Sequence, residues 1–405
     1  MEPSPEPAEP GKLPRLKKLA VTAVTVSIAL AVAAGFLYVT VRDDGSSPAP
    51  STTPASIQGA LVESPSLFAL KMADATNGWA LSAVRPGNFI VVRTGDGGRS
   101  WRDASPLQGE SRDVNAAFFL DRDHAWALVV QRAAQTAEAQ ARIDWTQDGG
   151  RSWREGPVLG GPYPSGQIVF ADAQHGWFAQ HRGGSNITMD VALFRTADSG
   201  LTWRQMSATI DDDRAAETEQ LPASCIKTFL VLDRARGFAS GSCQGRLPFL
   251  FRTEDGGATW RRQLLPAAGQ DGPNAGPCFC GIGGPVFPTA NDGFLVVTGD
   301  VRMVYATHDG GLTWQPTSYP LDTNAGGIEF VDPLHGWLRD GRALYGTANG
   351  GATWTLFSQV LDGGPLSFIS SSEGWAWLRQ GWEETGPPAL IHTADGGKTW
   401  KPVVP

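Results

Sequence analysis

Two kinds of apolar segment alternate with polar ones along the 405-residue chain. One is a single uncharged run from Leu19 to Val41, whose 23 residues exceed the roughly 20 needed to cross a hydrocarbon core. The other kind is short, recurs throughout the rest of the chain, and is bounded each time by turn-forming residues. Segments of that kind predict many short strands joined by many turns.

The short segments keep a fixed order. A large apolar residue (Met72, Phe119, Phe170, Val231, Phe287, Phe330 or Phe368) comes six residues before a small one, and an aromatic ring follows at once: Trp79, Trp126, Trp177, Phe238, Phe294, Trp337 or Trp375. Downstream of each pair stands a second motif, seven times in all. It reads TGDGGRSW (94–101), TQDGGRSW (146–153), TADSGLTW (196–203), TEDGGATW (253–260), THDGGLTW (307–314), TANGGATW (347–354) and TADGGKTW (393–400). The copies recur about every 50 residues, and two turn signals per unit at that period mark a propeller blade.

Turn chemistry accounts for the motif residues. Asp96, Asp148, Asp198, Asp255, Asp309 and Asp395 can each accept hydrogen bonds from the backbone of their own loop, and Asn349 keeps the acceptor without the charge. The glycine three residues before each tryptophan does not vary, which predicts a backbone with positive φ. The tryptophan opens a strand and lays an apolar ring between neighbouring sheets. A catalytic carboxylate would not be needed seven times, so the motif reads as architecture.

T-x-D-G-G-x-T-W resembles the Asp-box, or bacterial neuraminidase (BNR) repeat. With the upstream Gly-Trp pair it is most similar to the propellers of the photosystem II assembly and stability factor family. Sortilin-type receptors and Asp-box glycosidases carry similar repeats. The resemblance implies an all-β fold, a seven-bladed β-propeller of four-stranded blades over residues 61–405. Strand A would end at the large apolar residue, the A–B turn would carry the Gly-Trp pair, and the Asp-box would be the C–D turn. Both turns then lie on one rim, and the B–C and D–A loops lie on the other.

Charge and composition add the topology. Residues 1–18 are Pro/Glu-rich and then basic, with Lys12, Arg15, Lys17 and Lys18 flanking the apolar run. A basic flank places the N-terminus in the cytoplasm, residues 19–41 in the membrane as one transmembrane helix, and the propeller outside. Residues 42–60 read as a flexible linker. The competing reading is a signal peptide cleaved in the small residues around Ala33. The net charge of −8 and the scattered basic residues speak against a nucleic-acid partner.

Candidate chemistry collects on the rim of the variable loops. Residues 207–224 carry Asp211, Asp212 and Asp213; residues 379–388 carry Trp382 beside Glu383 and Glu384, a ring with carboxylates suited to a sugar or peptide. Residues 131–142 suggest a short helical excursion. Of the histidines, His124, His175 and His335 fall in A–B turns, His308 and His392 at Asp-boxes, and His181 in a variable loop. That distribution gives no metal cluster, and no cofactor is expected. Cys225, Cys243, Cys278 and Cys280 are disulfide candidates on the extracytoplasmic side. A hairpin near Ala235 brings Cys225 and Cys243 close to the usual ~5.5 Å Cα spacing, and inter-blade pairings stay open. The resulting expectation is a membrane-anchored, single-pass, non-catalytic binding or assembly propeller with an envelope protein or glycan as partner. The alternative is a glycoside hydrolase using two carboxylates of the variable rim. A sialidase is disfavoured, because the five tyrosines and the arginines do not form its constellation.

Overall fold

Turns this frequent leave no length for a helix between them. The computed structural model holds 28 strands and no helix among its described residues. Those are residues 59–404 apart from 86–87, 107–111, 132–139, 161–164, 185–188, 211–218, 224–225, 243–247, 267–280, 299–301, 319–326 and 380–386. The apolar run 19–41 lies outside them. Among the described residues no helix is long and apolar enough to cross a membrane.

The first repeat shows the unit. β1 (Leu67–Met72), β2 (Gly78–Arg85), β3 (Asn88–Thr94) and β4 (Arg102–Asp103) pair antiparallel in chain order. β1 ends at the large apolar residue, β2 opens on the Gly-Trp pair, β3 runs into the Asp-box threonine, and Trp101 immediately precedes β4. The same meander recurs within residues 112–159, 166–208, 226–263, 281–316, 327–358 and 366–402. Five of these are separate four-stranded sheets, and the first two merge into an eight-stranded sheet where Phe89 faces Val114. The architecture is an all-β propeller.

Two local expectations meet the structure differently. The helical excursion expected over residues 131–142 falls mostly on 132–139, outside the described residues, and its ends are strand: Ala125–Gln131 and Gln140–Thr146 pair right out to Gln131 opposite Gln140. Apolar Val129, Val130, Ala141 and Ile143 on those strands are buried, so burial decides the conformation. His181 is not in a loop either. It lies in the strand Gly176–Gly184, half-buried, with its backbone N–H donating to Ser165.

The joints between meanders are aromatic. The second-strand ring of one meander stacks on the first-strand ring of the next, as in Trp126 on Phe170 at 3.7 Å, Phe294 on Phe330 at 3.6 Å and Trp337 on Phe368 at 3.5 Å. The Asp-box tryptophan meets the same ring edge-on, as Trp354 does to Phe330 and Trp400 to Phe368. The indole N–H groups reach across too: Trp79 donates to Asp121 O, Trp126 to Ser199 O and Trp337 to Gly396 O, at 2.9, 2.7 and 2.8 Å.

The last meander packs on the first in the same way. Trp375 Nε1 donates to Gly97 O at 3.1 Å, Met72 N donates to Ser367 Oγ at 3.0 Å, and Trp375, Trp377 and Leu390 share a core cluster with Leu70, Met72 and Trp101. Each meander is one contiguous stretch, so this closing joint involves packing and hydrogen bonds but no exchanged strand. Residues 60–62 line the outer edge of the first meander instead. Val62 N donates to Trp101 O and Asp103 N to Ala60 O, both at 2.9 Å.

Candidate functional site

The rim of the two turns is built from a repeated hydrogen-bond unit. Thr94 Oγ1 donates to Asp96 Oδ1 and accepts from Gly98 N, both at 2.8 Å; Asp96 also receives Ser100 N on one oxygen and Ser100 Oγ on the other, at 2.9 and 2.6 Å. The unit is copied at Asp148, Asp198, Asp255, Asp309 and Asp395. Asn349 accepts Thr353 N on its carbonyl oxygen and turns its amide to donate to Thr353 Oγ1. Burial works to raise the Asp309 and Asp395 carboxyls, but the bonds from Thr313 and Thr399 and their loops hold both down at about 2. Each of these carboxylates is occupied by its own turn.

The invariant glycines do hold positive φ, from 79° at Gly150 to 101° at Gly200. So does the residue before each, which explains the one exception. Ser199 sits at φ 66°, a conformation open to a small polar residue, and anchors itself by donating Oγ to Ala173 O at 2.7 Å.

A second set of acceptors was not anticipated. Asp74, Asp121, Asp172, Asp233 and Asp332 open the A–B turns, and each Oδ1 accepts two backbone N–H groups of its turn. His124, His175 and His335 each bring Nδ1 to that aspartate at 2.9 Å. The D-x-x-H spacing was visible in the sequence and could have disclosed the pairs. The two turns are tied together in every meander, for instance by Gly149 N donating to Asp123 O and Ser199 N to Gln174 O, both at 3.0 Å.

Between the A–B turns of the third and fourth meanders lies a cleft of about 420 Å³, lined by Asp172, His175 and residues 233–236. Burial works to raise Asp172 and Asp233, yet the turn amides and the neighbouring His175 or Arg236 hold both below the usual carboxylate range. Arg236 Nε is 2.6 Å from Asp233, whereas Arg234 has no hydrogen bond or ion pair among the described residues.

On the opposite rim the described groups are cross-strand pairs. Ser165 Oγ is 3.1 Å from His181 Nδ1, and burial keeps that imidazole below its ordinary value. Asp190 accepts from Arg182 at 2.8 Å and from Thr209 Oγ1 at 2.6 Å, while Lys227 Nζ donates to Met189 O at 3.1 Å. The candidates Trp382, Glu383, Glu384, Asp211, Asp212 and Asp213, and the cysteines Cys225, Cys243, Cys278 and Cys280, lie outside the described residues. Among the described residues no group of three or more His, Cys, Asp or Glu side chains could hold a metal ion. Trp145 and Trp377, which belong to neither motif, are buried core residues.

Comparison with known proteins agrees with this geometry. The family model "Photosynthesis system II assembly factor YCF48" matches residues 313–404, from the fifth Asp-box onward. No curated protein matches the chain in sequence. Among solved structures, "YCF48 bound to D1 peptide" is 18% identical, with 87% of this chain and 97% of that one covered and a TM-score of 0.48. "YCF48 from Cyanidioschyzon merolae" is 16% identical over 84% of this chain and 85% of that one, with a TM-score of 0.37. "Oligogalacturonate lyase in complex with manganese" is 11% identical, with coverage of 82% and 90% and a TM-score of 0.53, a likeness of fold alone. By its repeats, its turn chemistry and its sheets the chain is an Asp-box (BNR) propeller, similar over residues 313–404 to the YCF48 assembly-factor family.

Proposed function

We propose that the chain is a seven-bladed ring acting as a non-catalytic binding and assembly module that holds an envelope protein or glycan. In this reading residues 19–41 anchor it in the membrane with the N-terminus in the cytoplasm, and the ring stands outside. One observation carries the non-catalytic part. The most regular acids of the molecule, those of the Asp-boxes and A–B turns, accept hydrogen bonds from their own turns and offer no free pair for acid–base work. The description of the matching family as an assembly factor supports the same class of function. The partner is expected on the rim of the B–C and D–A loops, where length and composition vary most and where Asp211–Asp213 and Trp382–Glu384 cluster in sequence.

The test is a pull-down from envelope extract with the full chain and two variants. One combines Trp382→Ala with Ser at Asp211, Asp212 and Asp213; the other is Arg234→Ala in the cleft of the opposite rim. The proposal expects the first to lose the partner and the second to keep it. The reverse result would move the binding face to the turn rim. Release of sugars from a polysaccharide panel by the purified chain would replace the reading with the hydrolase. A reporter fused after Pro405 should be active only outside the cytoplasm, and recovery of a soluble chain beginning near Ala34 would overturn the anchor.

A further inference from the structure

Two of the eight asparagines precede a glycine, Asn77–Gly78 in the first A–B turn and Asn349–Gly350 in the sixth Asp-box. With no Cβ on the second residue, its backbone nitrogen can approach the asparagine side chain, and such pairs readily lose the side-chain amide. Both lie on the turn rim, but the structure holds them differently. Gly78 is buried at the start of a strand, paired with Met72 on one side and Thr94 on the other. Asn77 is fastened by Asp74, which accepts its backbone N–H at 2.7 Å and its side-chain amide at 2.9 Å.

Asn349 is exposed, and Gly350 is a turn residue at φ 67° that belongs to no strand. Asn349 Oδ1 accepts from Thr353 N and from Thr347 Oγ1, both at 2.9 Å. Two donors on that oxygen draw electron density from Cγ and match the charge the oxygen would carry in an addition step. One bond restrains the nucleophile: Gly350 N donates to Leu334 O at 2.9 Å, in the A–B turn of the same meander. Leu334 is held in its own turn by Asp332, whose Oδ1 accepts its N–H at 2.8 Å. A carboxylate also suits the position. In the other six boxes it takes the hydroxyl of the residue four further on at 2.5–2.7 Å, so Thr353 need only turn its hydroxyl from accepting to donating.

We propose that Asn349 is a site of spontaneous modification, whose deamidation gives the sixth Asp-box the carboxylate that the other six already carry. Gly350 N gives up its proton and attacks Asn349 Cγ, closing a five-membered imide ring. The bond from Cγ to the side-chain nitrogen breaks, and that nitrogen takes up a proton and leaves as ammonia. Water then adds at Cγ, the new Cγ–N bond breaks, and the backbone is restored with a carboxylate in place of the amide. Solvent water is the one co-reactant, and nothing is oxidised or reduced. Addition at the backbone carbonyl instead would give an iso-linked chain, one methylene too long to keep Gly351 N on Thr347 Oγ1. Release of Gly350 N from Leu334 O controls the step, a local opening of one bond. At Asn77 the same step requires Gly78 to leave the sheet, and its product would set a second carboxylate against Asp74.

Peptide mapping by mass tests this on the full chain, incubated at mildly alkaline pH both folded and in concentrated urea. In urea the two asparagines should convert at similar rates. In the folded chain Asn349 should convert roughly tenfold or more faster than Asn77, because a turn opens more readily than a paired strand. Co-elution with synthetic standards should assign the folded product as aspartate rather than the iso-linked form. Asp332→Ala loosens the turn that carries Leu334 and should speed conversion at Asn349 while leaving Asn77 at its parent rate. In melts, Asn349→Asp should match or exceed the parent, and Asn77→Asp should fall below it. Equal folded rates at the two sites, or an Asn349 that stays unconverted while the urea sample reacts, would overturn the proposal. So would Asn349→Asp melting below the parent. An Asp332→Ala chain that keeps the parent rate at Asn349 would overturn the control assigned to Leu334.

Discussion

At the scale of single residues the Asp-box divides into a backbone requirement and an acceptor requirement. Ser199 shows the first, holding φ 66° in a place that six other copies give to glycine. Ser199→Gly should therefore leave the melting temperature unchanged or raise it. Ser199→Val should lower stability by about 1–3 kcal/mol, because a β-branched residue is strained there and loses the bond to Ala173. Asn349 shows the second requirement. Asp255→Asn should be mild and Asp255→Ala severe in the same melts, since only alanine removes the acceptor for Thr253 Oγ1, Ala258 N and Thr259 N. Acid should probe the charge. Asp395 has its carboxyl depressed to about 2, so its contribution is complete above 3.8 and is lost as pH falls through about 2. Asp395→Asn should accordingly show a smaller fall in melting temperature than the parent between about pH 5 and about pH 2.

Among elements, the Gly-Trp pair and the large apolar residue six positions earlier are one packing device. Phe170 stands opposite Gly176 in register, and a Cβ on that glycine would lie 2.5 Å from the Phe170 ring. Gly293, Gly336 and Gly374 are covered in the same way by Phe287, Phe330 and Phe368. The ring lies flat over its own neighbouring strand and presents its other face to the second-strand ring of the preceding meander: Trp126 for Phe170, Phe238 for Phe287, Phe294 for Phe330 and Trp337 for Phe368. Gly336→Val should thus disrupt the joint as well as the hairpin. Trp337→Ala should cost about 3–5 kcal/mol, read as a lowered denaturant midpoint, because a buried ring stacked at 3.5 Å leaves a cavity. A melt of Trp337→Ala matching the parent would contradict this account of the joint.

Over the whole molecule, what could be read from the sequence was what is repeated. Seven copies of one turn reveal which positions are backbone and which are chemistry, because a variable residue such as Lys398 or Leu201 stands beside an invariant Gly397 or Gly200. The aspartates of the A–B turns escaped because Thr289 and Ser370 replace them in two copies and interrupt the pattern. The bond from Met72 N to Ser367 Oγ escaped for the opposite reason: it exists only where the first and last meanders meet in space. Loop residues such as Asp212 and Trp382 have no internal copy against which a role could be judged. Removing residues 59–62 should test the outer-edge pairing. Since that pairing adds only a few backbone bonds at about 0.5–1.5 kcal/mol each, the loss should loosen the first meander in hydrogen exchange without unfolding the ring.

Because every meander is one uninterrupted stretch of chain, a whole repeat can be gained or lost by unequal recombination without any strand changing sheets. A newly inserted repeat would need only the stacking ring on one flank and the indole on the other to enter the circle. Its neighbours would have to widen their angles slightly, and the closing joint would absorb the remainder. Ser367 bonds Met72 N at that joint, so a lineage that altered the number of repeats would be expected to change Ser367 first, well before any Asp-box.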